Sequence, residues 1–113
     1  GDIVAAFSEL LIEQGATFSS TVNVEDSAGA AINLSGYSAS SQMRKSYYAV
    51  SNTTITSTIT GNANGEITLS MTAANTANLT PGRQLFDLLI TAPTGVKTRV
   101  VEGIIVISPG VTQ

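Results

Sequence analysis

The feature that most restricts the fold of this chain is apolar–polar alternation with a period of two, broken by turn-forming residues about every eight to fifteen positions. Such alternation puts one side of an extended chain in a core and the other in water, so it selects strands over helices. Phe18, Ser20, Val22 and Val24 share one face of the first clear segment, and Ser19, Thr21, Asn23 and Glu25 share the other. Asp26-Ser27-Ala28-Gly29 follows as a turn, with Asp26 able to bond its own backbone and Gly29 free to take positive φ.

The pattern then repeats along the chain. Residues 37–45 set Tyr37, Ala39, Ser41 and Met43 against Ser38, Ser40, Gln42 and Arg44. Residues 54–60 are nearly all β-branched, which suits a pleated surface. The glycine- and asparagine-rich stretch 61–65 links them, hairpin-fashion, to residues 66–71, where Ile67, Leu69 and Met71 align. Residues 72–79 are the one helical candidate: Thr72 caps, the alanines favour helix, and Pro81-Gly82 stops it. Residues 84–91 are apolar on both faces, as a central strand would be, with Phe86, Leu88 and Ile90 opposed to Leu85, Asp87 and Leu89. The last strand spans residues 97–107, with Gly103 the candidate for a bulge. Six or seven strands at this spacing predict an all-β fold, an immunoglobulin-like antiparallel β-sandwich of about seven strands with one short helical turn before the penultimate strand. A closed barrel is the alternative. Residues 12–113 form the sandwich, and residues 1–11 an N-terminal arm or edge strand.

Composition narrows the function. Of 113 residues, about one domain, only 12% are charged, and Ser, Thr and Asn replace charge on the surface. Five basic residues, scattered in a chain of net charge −3, make no phosphate-binding face, so nucleic acid is not an expected partner. No run approaches the ~20 apolar residues of a membrane span, and the short run at residues 3–12 carries Glu9 without the basic flank of a signal peptide. There is no cysteine and no histidine, which removes disulfides, thiolate metal sites and the commonest general base. Glu25-Asp26, the adjacent carboxylate pair, reads as a solvated loop end with too few oxygens nearby for calcium. The glycines at 61 and 65 lack the Lys and Ser/Thr of a phosphate loop, and matches to the N-glycosylation pattern at Asn33, Asn52 and Asn78 are expected by chance in so Asn- and Thr-rich a chain. No catalytic, cofactor-binding or metal-binding residue is expected, and the chain reads as a protein without enzymatic activity.

Two groups of residues stand out. Asp87, inside an apolar strand, calls for either a buried structural ion pair with Arg44 or Arg99, or an outward position in water. Ile3, Val4, Phe7, Leu10 and Leu11 form an apolar stretch that packs either on a partner or a domain edge, or into the same core as a first strand or short helix. Tyr47 and Tyr48 join them as a candidate interaction surface, and with Tyr37 are the aromatic side chains a sugar-binding face would use.

Several segments, taken in order, resemble a recurrent domain of bacteriophage tails. They are Ile12-Glu13-Gln14-Gly15-Ala16-Thr17-Phe18, Ile32-Asn33-Leu34-Ser35-Gly36-Tyr37-Ser38-Ala39, Gln42-Met43-Arg44, Gly65-Glu66-Ile67-Thr68-Leu69, Phe86-Asp87-Leu88, and the finish from Val101-Glu102-Gly103 through Val111-Thr112. Together they span residues 12–112 and are similar to the N-terminal domain of phage baseplate upper proteins and to small tail-associated proteins of marine and cyanobacterial phages. The resemblance implies an immunoglobulin-like sandwich built into a virion after synthesis in the host bacterial cytoplasm. It implies partners among other tail and baseplate proteins or further copies of the chain, and no enzymatic residues. The alternative function is a carbohydrate- or cell-surface-binding sandwich of a receptor-binding apparatus.

Overall fold

The structure, a computed structural model, describes residues 5–46 and 52–110. Seven strands and one short helix follow one another as β1 (Ala6–Glu13), β2 (Phe18–Asn23), β3 (Ser38–Arg44), β4 (Thr53–Gly61), β5 (Glu66–Met71), α1 (Ala73–Ala77), β6 (Gly82–Thr91) and β7 (Lys97–Ser108). Their hydrogen-bonded order is β1-β7-β6-β3-β4-β5-β2. The first part of β4, Thr53 to Ile55, pairs with β3, and the rest, from Thr56 to Gly61, pairs with β5. β4 therefore carries the sheet round from one layer to the other. One layer is β1-β7-β6-β3 with the start of β4, and the other is the end of β4 with β5 and β2. The chain is an all-β, immunoglobulin-like sandwich with its helix before the penultimate strand. β1 and β2 stand at the two ends of the strand order, so the described strands do not close into a barrel.

The alternation read from the sequence is what fills the space between the layers. Ile67, Leu69 and Met71 of β5 face Phe86, Leu88 and Ile90 of β6 across a core that also takes Ile12, Phe18, Met43, Ile55, Ile105 and Ile107. Burying a side chain of this kind is worth roughly 1.5–3 kcal/mol. Ser41, the polar member of that inner face, is buried and donates its hydroxyl to the Asp87 carbonyl at 2.6 Å.

Two features differ from the expectation. The pairing is not antiparallel throughout, because β1 runs parallel to β7, from Ala6 beside Val101 to Glu13 beside Ser108. β1 continues unbroken through residues 11 and 12 as an edge strand. The bulge in β7 is not at Gly103. Leu88 pairs with Val101 and Leu89 with Arg99, so Val100 is the extra residue, and Val100 and Val101 are both buried although adjacent. Gly103 instead marks a close approach of two strands. A Cβ there would run into the Ser8 backbone carbonyl, so only glycine lets β1 lie this close to β7.

The loops are fastened by specific side chains. Thr72 caps α1, its hydroxyl accepting from the Asn75 amide at 3.2 Å. Thr76, fully buried, accepts from the Gly15 amide at 3.1 Å and donates to the Ala16 carbonyl at 2.7 Å, tying α1 to the β1–β2 corner. Gln14 completes that corner by donating to the Leu79 carbonyl at 2.9 Å and accepting from the Gly110 amide at 3.2 Å. At the opposite end Gly65, at φ +63°, lets the β4–β5 turn press on the Val24 carbonyl, and a Cβ would also lie 3.0 Å from the Ile32 carbonyl. No buried side-chain polar atom among the described residues lacks a partner.

Candidate functional site

Because inward and outward residues alternate, each layer presents a second face to solvent. On the larger layer that face combines apolar and charged side chains. The register sets Arg44 beside Leu85, Leu85 beside Ile104, and Ile104 beside Glu9, in one row across β3, β6, β7 and β1. The next row holds Gln42, Asp87, Glu102 and Phe7. A groove of about 290 Å³ opens between these rows, lined by Phe7, Arg44, Leu85, Asp87, Arg99 and Ile104 among others. Farther along lie Arg83, Val106 and Leu11, again neighbours in register. Phe7 is 71% exposed and Leu11 57%.

The apolar N-terminal stretch thus divides by parity. Phe7 and Leu11 point outward, while Leu10 packs against the core and Ile12 is fully buried. Ile3, Val4, Tyr47 and Tyr48 lie outside the described residues, and Tyr37 packs half-buried against the core.

Asp87 sits on this outer face. Its carboxylate lies 3.4 Å from Arg99 Nε, with side-chain exposures of 22% for the aspartate and 52% for the arginine. Register leaves both arginines diagonal to Asp87, Arg44 on β3 opposite Leu85 and Arg99 on β7 opposite Leu89, each two positions away. Arg44 instead reaches the Gln42 side-chain oxygen at 3.5 Å. The ion pair is therefore a solvent-side contact with Arg99, not a buried one, and Arg44 does not join it. Pairs of this kind are worth about 0–1 kcal/mol.

The smaller layer has a different exterior. Thr21 is paired with Thr68, and Thr68 with Thr58; Ser19, Ser70 and Thr56 form the parallel row. The Thr21 and Thr68 hydroxyls lie 3.3 Å apart and those of Thr60 and Thr68 3.0 Å apart, and Thr60 donates to Glu66 Oε1 at 2.7 Å. Thr21, Thr68, Thr60 and Glu66 thus bond to one another, and none of the exposed large apolar side chains among the described residues lies on this face.

Glu25 and Asp26 do not act as a pair. Asp26 Oδ1 accepts from the Ala28 and Ala30 amides, each at 2.9 Å. The Ala30 amide, above all, holds the carboxyl below its ordinary value of 3.8; partial desolvation opposes this and the Ala28 amide reinforces it. The carboxylate is occupied in shaping its own loop. No group of three or more acidic or other metal-ligating side chains occurs among the described residues. No helix there is long and apolar enough to cross a membrane.

No family model matches this sequence, and no curated protein matches it. Solved structures do share its architecture. The N-terminal domain of phage TP901-1 ORF48 superposes with a TM-score of 0.60 over 89% of this chain and 85% of that one, at 11% identity. Weaker likenesses are to the Lin-41 filamin domain (TM-score 0.46, 19% identity, 86% of this chain and 81% of that one) and to the Listeria monocytogenes internalin-like protein lmo2027 (TM-score 0.44, 14% identity, 94% of this chain and 28% of that one). At such low identity the first likeness establishes one thing: this chain shares the fold of a domain from a phage protein.

Proposed function

We propose that this domain is a non-enzymatic structural module of a bacteriophage tail or baseplate, acting through protein–protein contacts. The observation that carries the reading is the outer face of the larger layer, where Phe7 and Leu11 stand exposed beside Leu85, Ile104 and charges of both signs. A rigid sheet that keeps large apolar side chains in water at no benefit to its own core is built for contact with another protein. The fold shared with a phage protein and the order of short motifs along the chain support placing that contact in a virion. The partners are other tail or baseplate proteins; nucleic acid and membrane have no part in the reading.

The test is localisation. In purified particles of the virus encoding this chain, mass spectrometry should find it at fixed stoichiometry, and gold-labelled antibody should mark the tail. Absence from particles, or turnover of a substrate by the purified chain, would refute the reading.

A further inference from the structure

The outer face of the larger layer is complementary to itself. Its central row has a cation at one edge, Arg44, an anion at the other, Glu9, and two aliphatic side chains, Leu85 and Ile104, between them. Take a second copy and turn it by a half-rotation about an axis lying in the contact plane and running along the strands between β6 and β7. The row is then reversed: Glu9 of the second copy stands over Arg44, Ile104 over Leu85, and the same contacts recur on the other side of the axis. This is the geometry a two-fold interface requires, one patch serving both partners.

The rest of the face carries charges of both signs. Arg44, Arg83 and Arg99 balance Glu9, Asp87 and Glu102, so the patch is neutral although the chain carries −3. In the adjacent row the rotation brings Phe7 over Gln42 and sets Asp87 against Glu102. That approach of two carboxylates opposes the pairing, and Arg99, 3.4 Å from Asp87, is the neighbouring cation that offsets it. The exterior of the smaller layer offers no such relation, having a hydroxyl lattice already bonded to itself.

We infer that the outer face of β1, β7, β6 and β3 binds the same face of a second copy in this orientation. The pairing deepens the assembly reading above and rests on it. Four strands spaced ~4.8 Å apart and roughly five residues rising ~3.4 Å each give a patch about 20 Å by 17 Å. That is small beside the ~800 Å² per partner of a standard interface, so the dimer has a dissociation constant of about 0.01–1 mM and forms where copies are held close together.

Sedimentation velocity up to about 1 mM chain reads the equilibrium directly. The wild-type chain is expected to show a monomer–dimer equilibrium. Arg44→Glu sets acid against acid and Glu9→Arg sets base against base, so each variant alone should associate at least about tenfold more weakly. An equimolar mixture of the two variants restores both ionic contacts and should form a heterodimer, which also shows that both variants fold. A wild-type chain that stays monomeric, or a mixture no better associated than its components, would overturn the pairing. Either result leaves the assembly reading to its own particle test; a dimer formed by a chain absent from particles would overturn the assembly reading alone.

Discussion

On one side of the sandwich the hydroxyls of Thr21, Thr68 and Thr60 bond in a chain that ends on Glu66, with Thr58 beside Thr68 in register. On the other side Phe7, Leu11, Leu85 and Ile104 share the surface with arginines and carboxylates. Both exteriors are backed by the same core, to which Leu69 of β5 and Leu88 of β6 contribute equally buried side chains. Stability therefore does not explain why the two exteriors differ. A self-bonded polar lattice asks little of a neighbour, whereas exposed aromatic and aliphatic groups gain from being covered. The difference separates what the fold needs, the inward positions, from what the fold leaves free for contact.

The largest effects should show that the two layers are equivalent inside. Leu69→Ala and Leu88→Ala are each expected to cost about 2–5 kcal/mol by urea denaturation; a loss below about 1 kcal/mol at either would mean that its layer does not share the core as described. Next, Gly103→Ala should cost about 1–3 kcal/mol, because the new methyl displaces β1 at Ser8. Since β1 carries Phe7, Glu9 and Leu11, the same variant should weaken self-association, an effect no change on the threonine face should have. Smaller still, Asp87→Ala and Thr68→Ala should each move stability by less than about 1 kcal/mol, the first breaking an exposed ion pair and the second an exposed hydroxyl chain. A loss of several kcal/mol at Asp87 would put the ion pair in the interior after all.

The finest distinction concerns the loop between β2 and β3, which belongs to neither exterior. Asp26 titrates below its ordinary value of 3.8 when folded, so its contribution is present above that pH and is lost as pH falls through the folded value. Stability profiles should show Asp26→Asn flattening the acid side and leaving the change between pH 7 and 9 as in the parent. An unchanged acid limb would mean that the Ala28 and Ala30 amides do not hold the carboxylate.

Much of this architecture is legible in the alternation alone, and the exceptions are instructive. Residues 66–71 and 84–91 announce their inward faces because Ile67, Leu69, Met71, Phe86, Leu88 and Ile90 keep strict parity, and the Thr72 cap and Pro81-Gly82 bound the helix. The Val100 bulge leaves only a short trace: Arg99 and Glu102 both face outward although three residues apart, and beyond them Ile104 and Val106 make the outer side of β7 apolar as well. The two adjacent apolar residues between two charged ones are the local sign of it. The parallel pairing of β1 with β7 joins segments about ninety residues apart, and no local signal encodes such a register. The sequence likewise makes Arg44 and Arg99 equal candidates for Asp87; both lie diagonal to it in register, and the side chains settle it, Arg99 reaching Asp87 and Arg44 turning to Gln42. Phe7 and Leu11 are legible as apolar, but their outward aspect depends on Leu10 and Ile12 being the pair that the core accepts.

A residue-resolved dilution series separates the two exteriors in one experiment. Amide chemical shifts of labelled chain should move with concentration along Phe7–Leu11, Gln42–Arg44, Leu85–Asp87 and Glu102–Val106, while Ser19–Thr21 and Thr56–Thr60 stay fixed. Shifts centred on the threonine lattice, or none on the mixed face at any concentration, would contradict the assignment of contact to the larger layer.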